Sequence, residues 1–334
     1  MALNGYQAGH GYPSSGDARD LPLVAIIGPT GSGKSGLALD IAEEFNGEIV
    51  NCDSLQVYRH FDLGTAKLPP TAWRGVPHHL IDVVNPDEVF TAGAYARLAR
   101  STVAQISGRG RLAVIAGGTG FYLRALLDGL FAGPSRDQPL RDRLARREKR
   151  RPGSLHRLLT RLDPNAARTI HPHDEPKVTR ALEVCLLARR PVSELFRLGR
   201  NPLLGYQALK IGLLPDREAL YQRLEERCGQ MFEGGLVEEV RHILSLGFAE
   251  TSKPFESHGY RQALQLLHGE LTPKEALNYA QRNTRRYAKR QITWFRREPG
   301  LTWLKGFGDA SPTRTAALEM VRTFLARSRP ERTP

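Results

Sequence analysis

Gly28-Pro29-Thr30-Gly31-Ser32-Gly33-Lys34-Ser35 is the stretch that decides the fold. It follows the apolar run Leu23–Ile27 and opens a helical pattern over 34–45. Glycines let the backbone turn tightly with its N–H groups pointing inward, Lys34 adds a positive charge, and the Ser35 hydroxyl can reach a divalent cation. A strand before and a helix after are the context of a phosphate-binding loop. The stretch therefore predicts a site for a di- or triphosphate, without naming the reaction.

The composition indicates a globular protein with a basic surface. Its 334 residues can form one large domain with an insertion, or two domains. No run reaches the roughly 20 apolar residues of a membrane helix, and the N-terminus lacks a secretory pattern, so we expect a cytoplasmic protein without a membrane partner. The net charge of +13 is large for an enzyme of small metabolites. It favours a polyanionic partner such as nucleic acid.

Strand and helix patterns alternate along most of the chain. Apolar runs after the first strand predict further strands over 48–52, 79–84, 111–116, 208–214 and 301–305. Segments whose apolar residues have helical spacing lie between or after these strands, over 91–107, 121–130, 217–246 and 316–326. This alternation predicts the α/β fold class, with a P-loop NTPase-like parallel sheet covered by helices. Residues 1–20 and 328–334 lack periodicity and are predicted to be a disordered tail and a frayed tail.

Residues 134–202 differ from the rest, because they contain helical patterns and no strand candidate. Positions 134–200 hold 17 Lys or Arg against 8 Asp or Glu, with a cluster of cations over 141–151. That charge fits either a solvated helix face or a contact with nucleic acid. The sequence therefore predicts an all-helical insertion in a catalytic core made of 21–133 plus 203–327.

A second basic stretch, over 281–297, contains aromatic residues as well as arginines. On a helix, Tyr287, Gln291 and Trp294 share one face. That face is either buried in the core or available to stack nucleobases.

Asp53 follows the predicted strand over 48–52, at the edge of the sheet where ligands bind. A kinase or ATPase normally has an acid at the end of another strand to hold its metal. Here the strand over 111–116 runs into Gly117-Gly118-Thr119 instead. Asp53 could be a metal ligand or a general base, and the residues alone do not separate these roles.

Eight blocks of sequence occur in a fixed order over about 21–297. They are Gly28–Ser35, Asp53–Tyr58, Gly64–Lys67, Pro77–Asp82, Gly117–Leu123, Arg180–Val184, Gly259–Tyr260 and Arg286–Gln291. In this order they resemble the tRNA dimethylallyltransferases, also called tRNA isopentenyltransferases. The C-terminal stretch has no cysteine for the zinc finger of many eukaryotic members, so we expect the bacterial type.

The resemblance implies transfer of a dimethylallyl group from dimethylallyl diphosphate to N6 of an adenosine in tRNA. The acceptor is position 37, 3′-adjacent to the anticodon, in tRNAs that read codons starting with U. The products are N6-isopentenyladenosine and diphosphate. The phosphate loop and the resemblance together imply Mg²⁺ as cofactor with Ser35 as its ligand. The resemblance implies the tRNA anticodon stem-loop as partner of the helical insertion, and we expect a monomeric enzyme.

The resemblance assigns roles to individual residues. Asp53 would take the N6 proton, Thr30 would lie near the bridging oxygen of the diphosphate, and Arg227 would bind the diphosphate. The donor-binding residues would be Gly28, Pro29, Thr30, Gly31, Ser32, Gly33, Lys34, Ser35 and Arg227. The tRNA contacts would be Asp53, Ser54, Leu55, Gln56, Thr119, Lys177, Arg180, Tyr260 and Arg261. Many bacterial members have Gln-Arg where this chain has Pro176-Lys177, so the charge is kept without the fork geometry of arginine.

Two other functions stay open. An adenylate isopentenyltransferase would act on AMP or ATP, but a mononucleotide does not require the basic insertion. A P-loop kinase or RNA-dependent NTPase would have no prenyl chemistry, and ATP hydrolysis stimulated by RNA would indicate it.

Overall fold

The computed structural model describes residues 20–328. The predicted tails, 1–20 and 328–334, therefore lie outside the described residues except for one residue of each. Within the described range, no helix is long and apolar enough to cross a membrane.

Six strands form one parallel sheet. They are β1 (Leu21–Ile27), β2 (Gly47–Asn51), β3 (His78–His79), β4 (Leu112–Gly117), β5 (Tyr206–Leu214) and β6 (Leu301–Lys305). Their order is β3-β2-β4-β1-β5-β6, and every pairing is parallel. Leu23 in β1 lies beside Ala113 of β4 and Ala208 of β5, and residues 23–27 have no exposed surface. A strand buried on both faces needs an uninterrupted apolar run, which is why β1 was predictable.

Helices connect and surround the strands. They are α1 (Lys34–Glu44), α2 (Ala92–Gly108), α3 (Gly120–Leu127), α4 (Gln138–Arg150), α5 (Ser154–Leu162), α6 (Pro164–Thr169), α7 (Glu175–Ala188), α8 (Val192–Arg197), α9 (Arg217–Glu233), α10 (Leu236–Ser245), α11 (Tyr260–Leu267), α12 (Pro273–Phe295) and α13 (Ser311–Ser328). Leu37 of α1 and Val321 of α13 are fully buried in one core with Val114 of the sheet. The predicted α/β fold, a parallel sheet of the P-loop type surrounded by helices, is confirmed. The segment that forms α11 had no predicted structure.

One predicted strand, over 79–84, is wrong. Only His78–His79 pairs with β2. Leu80 and Asp82 follow with φ of 61° and 55°, a left-handed conformation that ends a strand. The side-chain amide of Asn51 donates a 2.9 Å hydrogen bond to the Leu80 carbonyl and holds this turn.

The described chain forms two compact units. The first contains the sheet and comprises the chain up to Val89, Ser101–Gly120 and the chain from Leu204 onward. The second comprises Phe90–Arg100 and Phe121–Leu203. All of α4 to α8 belongs to the second unit.

The second unit includes more than the predicted insertion over 134–202. It also takes in 90–100 and 121–133, which we assigned to the core. The rings of Tyr95 and Tyr122 stack with centroids 4.2 Å apart, and Arg100 Nη2 donates a 2.8 Å hydrogen bond to the Asn201 carbonyl. The first contact joins the two segments that precede the insertion to each other, and the second joins them to the end of the insertion.

Candidate active site

The loops after three neighbouring strands build the site in the first unit. β1 leads into the phosphate loop, β2 into Asp53, and β4 into Gly118 and Thr119. Parallel strands that lie side by side end at the same edge, so these loops meet. They enclose a cavity of about 280 Å³. Its lining includes the predicted residues Thr30, Gly31, Gly33, Lys34, Ser35, Asp53, Gln56 and Arg227.

The phosphate loop has the backbone that its glycines predict. Gly31 and Gly33 have φ of 78° and 84°, and Gly33 precedes the first turn of α1. The Lys34 ammonium donates a 2.6 Å hydrogen bond to the Pro29 carbonyl within the loop. Burial lowers the pKa of Lys34 to about 8, while the Asp53 charge opposes and the Arg227 charge adds to this effect. A bound anion would raise that pKa again, because it would favour the charged amine.

Arg227 of α9 reaches the loop from the other side of the cavity. Its Nη2 donates a 2.6 Å hydrogen bond to Thr30 Oγ1. Its Nε is buried and has no partner among residues 20–328. Burial lowers the pKa of Arg227, and the negative charge of Asp53 partly offsets this. A buried guanidinium with an unused donor is suited to bind an anion.

Asp53 is held in a turn at the end of β2. Its backbone N–H donates to Asn51 Oδ1 at 3.1 Å, and its Oδ1 accepts the Leu55 N–H at 2.8 Å. Thr119 Oγ1 accepts the Ser54 N–H at 3.0 Å and lies 3.3 Å from Ser54 Oγ. The Asp53 turn is therefore tied to the loop after β4, and the carboxylate faces the same cavity as the phosphate loop.

Gln291 of α12 connects two of these loops. Its Oε1 accepts the Thr30 N–H at 2.8 Å, and its Nε2 donates to the Gly118 carbonyl at 2.9 Å. The side chain is 5% exposed. A Cβ on Gly118 would lie 2.2 Å from Gln291 Nε2, so only glycine permits this contact. Gln291 therefore fixes the phosphate loop relative to the loop that carries Thr119.

Tyr260 is buried instead of lying on the surface. It has no exposed surface; its hydroxyl donates to Glu239 Oε1 and accepts the Gly64 N–H at 3.1 Å. Glu239 Oε2 also accepts the Leu63 N–H, at 2.7 Å. Burial raises the pKa of Tyr260 far above its usual range, with the Glu239 charge adding to the shift. A direct tRNA contact, as the resemblance implies, is thus not available to the Tyr260 side chain in this structure.

The remaining predicted tRNA contacts lie apart from the cavity lining. Arg261 is exposed at the start of α11. Lys177 and Arg180 belong to the second unit, where Lys177 pairs with Asp174 at 2.5 Å. Arg180 donates to the carboxylate of Glu183, also at 2.5 Å, so it is engaged within that unit.

The second unit carries a basic helix, α4. Leu140 and Leu144 of α4 are buried in the core of this unit. The same helix exposes Arg143, Arg146, Arg147, Lys149 and Arg150, which form no ion pair among the described residues. Exposed, unpaired cations can neutralise phosphates of a nucleic acid.

The aromatic face predicted on α12 packs inward only in part. Tyr287 lies against His258, with ring centroids 4.7 Å apart, and its hydroxyl reaches Thr119. Burial lowers the pKa of His258 to about 4, and the charges of Arg227 and Arg290 add to this, so its ring is neutral near pH 7. A Cβ on Gly120 would lie 2.1 Å from the Trp294 ring. Tyr287 and Gln291 therefore pack against the site, as one of the two interpretations of this face predicted, whereas Trp294 remains 38% exposed.

Sequence reasoning missed three polar residues of the cavity, Thr65, Arg223 and Gln291. Arg223 lies four residues before Arg227 on α9, so the helical spacing placed both guanidinium groups on one face. Gln291 closes the last of the eight blocks quoted above, but only the fold shows that it bonds to Thr30.

These features define a phosphate-loop α/β protein whose cavity is lined by one carboxylate and by the cations Lys34, Arg223 and Arg227. The family model described as IPP transferase matches residues 56–298. The chain therefore belongs to this family, whose members include the tRNA dimethylallyltransferases, and the resemblance found in the sequence is confirmed.

Individual relatives are similar to this chain over nearly its whole length. A tRNA dimethylallyltransferase from Solibacter usitatus (strain Ellin6076) is 70% identical over 305 residues, which are 91% of this chain and 99% of the relative. The tRNA isopentenylpyrophosphate transferase structure from Bacillus halodurans is 36% identical with a TM-score of 0.67, covering 92% of this chain and 96% of that one. The structure of a eukaryotic dimethylallyltransferase acting on tRNA has a TM-score of 0.79 at 26% identity, covering 94% of this chain and 82% of that one.

Proposed function

We propose that this chain transfers the dimethylallyl group of dimethylallyl diphosphate to N6 of adenosine 37 in tRNAs that read codons starting with U, and releases diphosphate. One observation carries the proposal. The phosphate loop, the buried Arg227 and the Asp53 carboxylate face a single cavity, so a diphosphate leaving group and a base can act on the same molecule.

The phosphate loop and Arg227 would bind the donor. Backbone N–H groups of the loop, the dipole of α1 and the Lys34 ammonium attract the diphosphate. The Arg227 bond leaves the Thr30 hydroxyl free to donate its own proton to a donor oxygen. Negative charge grows on the diphosphate as its bond to carbon breaks, and these groups stabilise that charge.

Mg²⁺ fits the residues at this site. Among the described residues no group of three or more His, Cys, Asp or Glu could cage a metal ion. Mg²⁺ bound to a diphosphate keeps several waters and needs only one or two protein oxygens, and the exposed Ser35 hydroxyl at the cavity can be one of them. The ion would supply further positive charge to the leaving group.

Asp53 would act on the acceptor. The N6 lone pair forms a bond to C1 of the dimethylallyl group, the C1–O bond electrons go to the diphosphate, and the N6 proton goes to Asp53. The adenine must leave its stack to reach the cavity. Gln56 and Thr119, which lie beside the Asp53 turn, would position the adenine ring by hydrogen bonds.

The second unit favours tRNA over AMP as the acceptor. The exposed cations of α4 together with Lys177 would neutralise phosphates of the anticodon stem-loop. A tRNA acceptor would place the reaction in the cytoplasm. We expect a monomer, because a single chain supplies every residue assigned to the reaction.

The test is incubation with Mg²⁺, radiolabelled dimethylallyl diphosphate and either unmodified tRNA or AMP, with ATP hydrolysis measured in parallel. Label in tRNA at adenosine 37 and none in AMP is the expected result. Label in AMP alone would instead indicate an adenylate isopentenyltransferase. RNA-stimulated ATP hydrolysis without label in either acceptor would indicate an NTPase.

A further inference from the structure

We propose that Arg223 is a second guanidinium for the diphosphate of the donor, and that Asp309 in the turn after β6 positions it. This inference rests on the proposed function, because it names a further group for the same donor. The turn, residues 306–309, lies outside the segment 56–298 that the family model matches.

Arg223 shares the cavity with the phosphate loop and Arg227. Its two terminal nitrogens donate to the two carboxylate oxygens of Asp309, each at 3.0 Å. The guanidinium carbon lies 3.7 Å from the centre of the Phe307 ring. A carboxylate on one edge and a ring beneath one face fix the guanidinium plane, and three of its five N–H groups remain for an anion.

The turn is itself attached to the phosphate loop. Gly308 N–H donates a 2.8 Å hydrogen bond to the Ser32 carbonyl. A Cβ on Gly308 would lie 2.5 Å from the Gly33 carbonyl oxygen, and one on Gly33 would lie 2.9 Å from Gly308 N. The close contact of these two glycines sets Asp309, and through it Arg223, at a fixed place relative to the loop that binds phosphate.

The Arg223–Asp309 pair is better suited to orientation than to stability. The side chains are 38% and 56% exposed, and ion pairs this exposed contribute little to folding. Arg223 also keeps the pKa of Asp309 below its usual range through its hydrogen bonds, so the carboxylate stays charged. Variants of either residue should therefore fold, which permits a direct test.

The experiment compares Arg223→Ala, Arg223→Lys, Asp309→Asn and the double variant Arg223→Ala/Asp309→Asn with the parent. Arg217→Ala on α9 and Glu319→Gln on α13 are matched controls, since both side chains lie outside the cavity. The readouts are KM for dimethylallyl diphosphate, KM for tRNA, and Kd for inorganic diphosphate with Mg²⁺ by calorimetry. Thermal unfolding verifies that each variant is folded.

We expect Arg223→Ala to raise KM for the donor and Kd for diphosphate by about 10- to 100-fold, the effect of losing charge-assisted hydrogen bonds. Asp309→Asn should raise both constants less than Arg223→Ala does, and Arg223→Lys should raise them by an amount between those two variants. The double variant should have the same constants as Arg223→Ala, because Asp309 acts through Arg223. KM for tRNA should not change, and both controls should match the parent.

Two results would overturn the inference. An unchanged Kd for Arg223→Ala would exclude Arg223 from the donor site. Tighter binding by Asp309→Asn would mean that Asp309 competes with the diphosphate for Arg223. If the parent binds diphosphate but never labels tRNA, the proposed function fails, while the diphosphate titrations still decide the role of Arg223.

Discussion

Arg227 Nη2 and Thr30 Oγ1 are joined by a 2.6 Å hydrogen bond between residues 197 positions apart in the sequence. The bond fixes the Thr30 hydroxyl, because Arg227 occupies one of its acceptor sites and leaves its proton free. The same bond holds the guanidinium of α9 against the phosphate loop. A donor bound in the cavity would meet both groups already in place, so little ordering is required when it binds.

Replacing Thr30 tests this arrangement. Thr30→Val keeps the shape of the side chain but removes the hydroxyl, so we expect kcat to fall by about 10- to 1000-fold, the range for loss of one donor to a developing charge. Thr30→Ser keeps the hydroxyl and should retain most of the activity. Single-turnover rates with saturating donor are the measurement. A Thr30→Val enzyme as fast as the parent would exclude a role for this hydroxyl in the reaction.

Asp53→Asn should remove the base without disturbing the turn. The amide oxygen can still accept the Leu55 N–H, so the backbone after β2 is kept. We expect kcat to fall by about 100-fold or more, the usual contribution of a general base. The Kd for diphosphate, measured by calorimetry, should stay close to that of the parent. Turnover near the parental rate would refute the assignment of the base.

Tyr260→Phe should weaken the acceptor side of the site. Without the hydroxyl, the Gly64 N–H loses its partner, at a cost of about 1 to 3 kcal/mol in the free energy of unfolding. The loop that begins there also bonds to Gln56, whose Nε2 donates to the Thr65 carbonyl at 3.1 Å. We therefore expect KM for tRNA to rise while Kd for diphosphate is unchanged.

Tyr279→Phe provides the control for this change, since Tyr279 of α12 is 37% exposed. It should match the parent in both stability and KM. If Tyr260→Phe lowers stability but leaves KM for tRNA at the parental value, the hydroxyl supports folding alone and does not position Gln56.

Glu183 should make the second unit sensitive to acid. Burial by itself would raise the pKa of Glu183, but hydrogen bonds from Arg141, the Asp137 N–H and Arg180 lower it to about 2. The folded pKa lies below the unfolded value of 4.5, so the carboxylate stabilises the fold above pH 4.5 and this contribution is lost as the pH falls towards 2. Urea unfolding between pH 7 and pH 2, followed by circular dichroism, measures this loss of stability.

Glu183→Gln is the matched variant. It should be about 3 kcal/mol less stable than the parent at pH 7, because Arg141 and Arg180 lose their buried counter-charge. Its stability should change less than that of the parent between pH 4.5 and pH 2. Parallel curves for the two proteins would show that Glu183 does not cause the acid sensitivity.

The sheet was predictable because its strands are buried and therefore encoded by continuous apolar runs. The strand predicted over 79–84 failed for a different reason. Its residues are apolar enough, but a side-chain bond from Asn51 supports a left-handed backbone at Leu80. An interaction with a residue 29 positions away thus overrides the local pattern.

The site was predictable to the extent that its residues follow strand ends or belong to a known motif. Thr30, Asp53 and Arg227 fall in that class, and the structure brings them to one cavity. The roles of Gln291 and Asp309 were not predictable, although Gln291 closes one of the eight blocks, because their contacts with Thr30 and Arg223 join residues 261 and 86 positions apart. Only the folded chain reveals such pairs, and for the same reason the sequence did not indicate that Tyr260 is buried.

The bond between Thr30 and Gln291 also has a consequence for biosynthesis. A ribosome makes the phosphate loop early, but the loop waits for α12, near the end of the chain, before its Thr30 N–H finds the Gln291 acceptor. A prematurely terminated product would carry the complete glycine-rich motif and yet lack one wall of the cavity. We therefore expect such fragments to bind the donor less tightly than chains that have been translated past Gln291.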